Sequence, residues 1–392
     1  MKSGPMHTKH RGVVIGFLTD NHLRKFSTVV SDQIEVMLDK WGCGSNQSSS
    51  SSSSTRVNAQ YDLSMLTLDV IMLTAFGASK EYLSQHIPEK ENSLAHGLDE
   101  VLKDIVIRTA IPMYQYIPTP KRFELNKIIA ESKAMRESLF KFAMDRVQND
   151  PDAPSTMLSE MIRMRKSNDS DATGMSDMEI ANELQTIRGA GHETTSNTLC
   201  WTMLLLAQNP HVLEKLRDEA RTVVKGSTCT FDEARELKYH AQVVYETLRL
   251  YPTVPSFPRE CHKDTVLKSG FDVPAGGLVF VSQSALNRNP ALWDRPNDFV
   301  PERFEGVGEL QMGRPVGVPN GPRYGFCPFG AANRSCVGQR LAILEAVQIL
   351  SSLVLRCDWK LAFPDGPIRE VADITLGPKK GLIFDVTPRR RN

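Results

Sequence analysis

Phe26, Val30, Ile34, Met37 and Trp41 fall on one face of a 3.6-residue repeat, which predicts an amphipathic helix packed on a core and ended by Gly42 and Gly44. Residues 48–54 are an unbroken serine run. With no apolar face to bury, they cannot offset the entropy of ordering, and a flexible loop is expected over residues 45–56. From Tyr61 to about Gln208 the pattern stays mainly helical, with a proline-marked break at 117–120 and a polar loop at 167–174. The clearest helix start follows that loop. Ser176 and Glu179 make an S-x-x-E capping box, and Met175 and Ile180 take the staple positions around it. The helix should run to the Asn209-Pro210 stop, roughly 48 Å at 1.5 Å per residue. After Pro252 come short extended pieces: residues 265–267, a turn at 274–277 and an apolar strand at 278–281. A last helix follows Cys336, with Leu341, Leu344, Ala346 and Leu350 on its inner side. The whole reads as a mainly α (α+β) fold with one long central helix and small β-sheets, occupying residues 1–392 as a single domain.

Composition adds constraints rather than a function. The 392 residues carry 41% hydrophobic and 24% charged side chains, ordinary for a globular protein and enough to enclose a cofactor. A net charge of +1 excludes the broad field expected of a nucleic-acid binder. The basic run at 389–391 reads as a solvated tail. Seven cysteines, an odd number without a C-x-x-C pair, argue against a disulfide framework and a structural zinc site and suit a reducing, intracellular compartment. The most apolar early stretch, 65–76, is broken by Thr67 and Asp69, short of the roughly 18 apolar residues that span a bilayer.

Three constellations carry chemistry. In Phe329-Gly330-Ala331-Ala332-Asn333-Arg334-Ser335-Cys336-Val337-Gly338 a cysteine stands just ahead of a helix, where the dipole favours its thiolate. Gly338 lets backbone pass close to a flat ligand, Arg334 offers a fork to a carboxylate, and Phe329 shields the sulfur. In the middle of the long helix stands Ala190-Gly191-His192-Glu193-Thr194-Thr195, where a glycine and a threonine hydroxyl can distort a helix beside a ligand. His192-Glu193 opens the zinc-protease pattern H-E-x-x-H, but Ser196 takes the second histidine position. Glu246-x-x-Arg249 places acid and base on one helix face, and Pro301-Glu302-Arg303-Phe304 follows.

The first motif resembles the cysteine loop of the cytochromes P450, F-x-x-G-x-R-x-C-x-G, with Ala332 where the family usually has glycine. The second resembles the family's [AG]-G-x-[DE]-T-[TS], and the others its E-x-x-R and P-E-R-F segments. The resemblance covers nearly the whole chain, is closest to eukaryotic microsomal members and points to a fungal one. It implies a cytochrome P450 fold with the cysteine loop below the haem, and haem b (iron protoporphyrin IX) bound through Cys336 as metal ligand. Thr194 would hydrogen-bond dioxygen and Glu193 would help to deliver protons. Arg259, Arg334 and Arg11 would hold the propionates, with His7 standing where the family's W-x-x-x-R helix has tryptophan. Glu246, Arg249 and Arg303 would form a buried network bracing the cysteine loop. Ile187, Ala190, Val254 and Phe257 are candidates for the substrate pocket, each weighed against ordinary core. The resemblance implies a monooxygenase that places one oxygen atom of O2 into a small apolar substrate, with electrons from NADPH-cytochrome P450 reductase and no nucleic-acid partner. Relatives sit on the endoplasmic reticulum membrane, whereas no anchor is found here. Arg11 falls in the family's third helix, and the anchor, part of a sheet and a loop over the pocket that precede it in complete eukaryotic members are not in this sequence. The chain therefore reads as a truncated product or gene model, or as a short variant with an open distal face. A truncated, non-catalytic haem-binding or helical fragment is the rival reading.

Overall fold

The computed structural model describes residues 4–44, 54–78, 113, 120–149, 155–165, 174–307, 316–319, 321–364, 366, 368–372, 374–379 and 381–389. Helices α1 (Pro5–Gly16) and α2 (Asp20–Lys40) lead to strand β1 (Thr55–Asn58) and helix α3 (Ala59–Thr74). Helices α4 (Pro120–Asn149) and α5 (Met157–Arg163) precede α6 (Asp177–Gln208), followed by α7 (Pro210–Val223), α8 (Phe231–Glu236) and α9 (Lys238–Leu250). Four short strands come next, β2 (Ser256–Glu260), β3 (Thr265–Val266), β4 (Asp272–Val273) and β5 (Leu278–Ser282), and then α10 (Gln283–Leu286). The chain closes with α11 (Gln339–Arg356) and strands β6 (Cys357–Leu361), β7 (Glu370–Ala372), β8 (Leu376–Pro378) and β9 (Ile383–Pro388).

The long helix starts and stops where its sequence directs. Ser176 Oγ accepts from the Glu179 amide at 3.2 Å while Glu179 Oε2 accepts from the Ser176 amide at 2.7 Å, so two orphan donors are satisfied reciprocally. Residues 195–206 of α6 are all buried, because α3, α9 and α11 cover different sides of it. A helix covered on all sides needs no solvent-facing stripe, and the polar residues of this half, Thr195, Ser196, Asn197, Thr198 and Thr202, are buried with the rest. The closest crossing is with α3: a Cβ added to Gly191 would lie 2.7 Å from both Cδ1 and Cγ1 of Ile71. Thr67 Oγ1 donates to the His192 carbonyl at 2.9 Å across the same crossing. Gly191 therefore serves close helix packing.

Two expectations are corrected. The serine-rich loop ends earlier than residue 56: Thr55 and Arg56 pair with Val386 and Asp385 in the sheet β1-β9-β6. Residues 45–53, like 114–119 and 166–173, lie outside the described residues. The basic tail is not wholly solvated, since Arg389 bonds Asp358 at 2.9 Å and its amide donates to Arg356 O at 2.8 Å. β5 pairs with β2 in antiparallel register, Phe257 opposite Val281 and Arg259 opposite Val279. Among the described residues no helix is long and apolar enough to cross a membrane.

Candidate active site around Cys336

Cys336 sits between a single 3-10 turn, Ala332–Arg334, and the first turn of α11. Its amide donates to the Phe329 carbonyl at 2.7 Å, which closes the loop on itself. The side chain is accessible. Contrary to the helix-dipole expectation, the thiol is pushed up from its ordinary value, because crowding by protein atoms desolvates it. The Gly338 amide, which donates to the sulfur, and the Arg11 guanidinium pull the other way. Both favour a thiolate once a metal removes the proton.

Cations gather around this sulfur. Arg11, on α1, donates from Nη1 to Ser335 O at 2.7 Å and from Nη2 to Ser335 Oγ at 3.0 Å, gripping the residue before the cysteine. His7, one turn earlier, is held below its ordinary value by burial and by Arg334 and Arg11. Arg259 reaches the loop from β2: a Cβ on Gly330 would lie 4.0 Å from its Nη2, and its guanidinium lies 4.5 Å from the centre of the Phe257 ring. Three arginines around one loop give it a positive potential that favours an anion beside it.

The loop also reserves space. Gly338 has φ −83°, which any residue adopts. A Cβ there would meet, of all protein atoms outside its chain neighbours, only the Cys336 sulfur at 3.9 Å. Neither backbone conformation nor packing demands glycine, so the open volume beside the sulfur is what it preserves. A flat ligand with carboxylates, ligated from below, fits both the cations and this volume, and haem b is such a group. The sequence departure at Ala332 has a structural counterpart, since its φ is +55°, in the left-handed region. A side chain there costs about 1–2 kcal/mol, partly offset by the greater entropy of unfolded glycine. Ala332→Gly should therefore raise stability by about 0.5–1 kcal/mol, read as a higher urea midpoint with an unchanged slope.

On α6, Ala190 is exposed and Ile187, Glu193 and Thr194 are half-buried. Thr194 Oγ1 donates to the Ala190 carbonyl at 2.9 Å, and Thr198 repeats the pattern to the Thr194 carbonyl at 2.9 Å. Thr198 also meets Thr253 hydroxyl to hydroxyl at 2.8 Å, which brings Val254 and the start of β2 to this helix. Val254 and Phe257 are half-buried too, so none of the four pocket candidates is sealed in the core. His192 turns away: buried against α3, it is held neutral, pushed down to about 4 by desolvation. Two contacts escaped the sequence reading. Thr375, in the turn between β7 and β8, donates to Glu193 Oε1. Leu376 amide donates to the Thr253 carbonyl at 2.8 Å, seating that hairpin beside the Thr198 turn of α6.

Glu246 and Arg249 are both fully buried, joined by paired bonds of 2.7 and 2.8 Å. Arg303 Nε and the Val300 amide add bonds of 3.3 and 2.8 Å to Glu246 Oε1. Arg249 spends its remaining donors on the carbonyls of Asn287, Pro296 and Asp298 at 2.9, 2.6 and 2.9 Å. The segment 287–304 is thus stitched to α9 and carries Trp293 and Phe304 against Phe326, three residues before Phe329.

Residues 1–383 match the family described as Cytochrome P450. Human "Cytochrome P450 4X1" is 28% identical over 394 residues, covering 97% of this chain and 73% of that protein. Soybean (Glycine max) "Cytochrome P450 97B2, chloroplastic" is 37% identical over 226 residues, 53% of this chain and 39% of its own length. Arabidopsis thaliana "Carotene epsilon-monooxygenase, chloroplastic" is 26% identical over 408 residues, covering 98% and 70%. None of the three is fungal. With the cysteine loop, its cations and the long helix already in place, the match over nearly the whole length makes this chain a member of the cytochrome P450 family, a haem b-dependent monooxygenase.

Proposed function

We propose that the chain oxygenates a small apolar molecule, with electrons from an NADPH-dependent flavoprotein reductase. The observation that carries this reading is the convergence of His7, Arg11, Arg259 and Arg334 on the loop of an accessible Cys336 whose sulfur already accepts the Gly338 amide. Haem b, held by Cys336, would supply the activation of dioxygen, with the cysteine sulfur as its electron-rich ligand. Arg259, Arg334 and His7 hold its carboxylates, Arg11 braces the loop through Ser335, and Phe329 with Gly338 frames the sulfur. Thr194 orients a proton at its Oγ1 on the open side of α6. Glu193 gathers protons from the Thr375 side and releases them toward Thr194. Ile187, Ala190, Val254 and Phe257 present the apolar wall on which a substrate is packed and water excluded.

Thr194→Ala tests the proton role. The haem spectrum and substrate affinity should persist, while product formed per electron consumed falls several-fold and the balance leaves as peroxide or water. An unchanged yield per electron removes Thr194 from proton delivery. The substrate class is tested by ligand-induced spin shift against terpenoids, steroids, fatty acids, polyketides and, given the printed activity of the Arabidopsis relative, carotenes.

A further inference from the structure

We propose that Thr375 is a positioning residue for the oxygenation: from the turn of the β7–β8 hairpin it holds the Glu193 carboxylate in one orientation for handling protons, a role that rests on Glu193 being the proton carrier.

One hydroxyl makes the contact. Thr375 Oγ1 donates to Glu193 Oε1, and it accepts a long bond of 3.5 Å from Asn197 Nδ2. Asn197 Oδ1 in turn accepts from Gln60 Nε2 at 3.2 Å. The donors all run one way, from Gln60 on α3 through Asn197 and Thr375, and end on the carboxylate. A glutamate on a half-buried helix face has several staggered rotamers open to it, and a bond from a donor fixed in place selects one of them. Thr375 is itself half-buried, so water competes less for its hydroxyl than at an exposed turn.

The seat of the hairpin is what fixes that donor. Glu193, Asn197 and Trp201 follow one another at intervals of four, a single stripe along α6. The hairpin lies along this stripe: Thr375 meets the first two residues, and Trp201 Nε1 donates to the Leu376 carbonyl at 3.1 Å. The Leu376 amide donates to the Thr253 carbonyl at 2.8 Å, and the Thr253 hydroxyl meets that of Thr198 on the same helix. Both backbone polar groups of the buried Leu376 are thus held, one residue from Thr375. Gly377 completes the fit. A Cβ there would lie 3.1 Å from Gln60 Nε2 and 3.2 Å from Asn197 Nδ2, closer than side chains normally pack.

Thr375→Val keeps the branched shape and removes both hydrogen-bond roles, whereas Thr375→Ser keeps both roles and removes a methyl group. Infrared difference spectra of the haem-loaded full chain, wild type minus Glu193→Gln, isolate the carboxylate stretch of Glu193. Thr375→Val should shift that band, and Thr375→Ser should leave it in place. With an NADPH-dependent flavoprotein reductase and no added substrate, electrons leave as peroxide or, where protons arrive, as water. The share leaving as water should fall about threefold or more in Thr375→Val, as in Glu193→Gln, and recover in Thr375→Ser. The carbon monoxide band of the reduced protein should be the same in all four proteins. An unmoved infrared band, or a wild-type water share in Thr375→Val beside a low one in Glu193→Gln, overturns the positioning role and leaves the proton role of Glu193 standing. A Thr375→Ser protein as poor as Thr375→Val traces the effect to methyl packing and overturns it as well. A wild-type water share in Glu193→Gln removes the proton role itself, and the positioning role falls with it.

Discussion

Cys336→Ser should abolish the red-shifted carbon monoxide band of the reduced protein and bring product formation to background, while the far-ultraviolet circular dichroism stays as in the wild type. The separation of the two readouts follows from where the residue sits. Cys336 is accessible, its amide is what closes the loop on Phe329 O at 2.7 Å, and a serine keeps that amide. Gly338 and Arg11 would face an oxygen instead of a sulfur, and a hydroxyl neither ionises readily nor donates electron density to iron as a thiolate does. A variant that kept the thiolate-type band would place the ligand elsewhere, and the whole reading of the loop would fail with it.

Glu246→Ala should act on the opposite property, stability. Glu246 supplies both oxygens to Arg249 and further bonds to Arg303 and the Val300 amide, and Glu246 and Arg249 are both fully buried. Removing it leaves a guanidinium buried without its counter-charge, which costs about 3–5 kcal/mol. That is a large share of the roughly 5–15 kcal/mol by which folded domains exceed their unfolded states. The urea midpoint should fall accordingly, and haem should be lost because segment 287–304, whose Trp293 and Phe304 pack on Phe326 before the cysteine loop, is no longer tied to α9. A loss below 1 kcal/mol, measured by urea titration with an unchanged slope, would show that the carbonyl bonds to Asn287, Pro296 and Asp298 suffice to hold Arg249.

What could be read from the chain was whatever is written in short spacing. The capping box and the Asn209-Pro210 stop gave both ends of α6 because helix termini are decided by neighbours three residues apart. The cysteine loop was legible as a set of residue types at fixed intervals, down to Ala332 as the odd member, and its positive φ is the local trace of that departure. Contacts between distant segments left no such trace. Nothing near Thr375 announces that it meets Glu193, because that pairing is set by how distant segments pack together. The packing role of Gly191 was hidden for the same reason: its type was visible, but the partner that needs the missing side chain, Ile71, lies on another helix. The thiol of Cys336 was misjudged in sign because dipole direction can be read from sequence and desolvation cannot. The strand β1, at the end of the serine run, needed its partner β9 from the far end of the chain to be recognised.

The α3–α6 crossing at Gly191 has a bearing on how this enzyme could be re-tuned. The helix that carries Ala190 and Thr194 rests on Ile71 with no slack, so bulk gained at 191 must push α6 away from α3. Ile71, on a different helix, in this way acts as the spacer that sets how closely the segment bearing Ala190 and Thr194 approaches its neighbour.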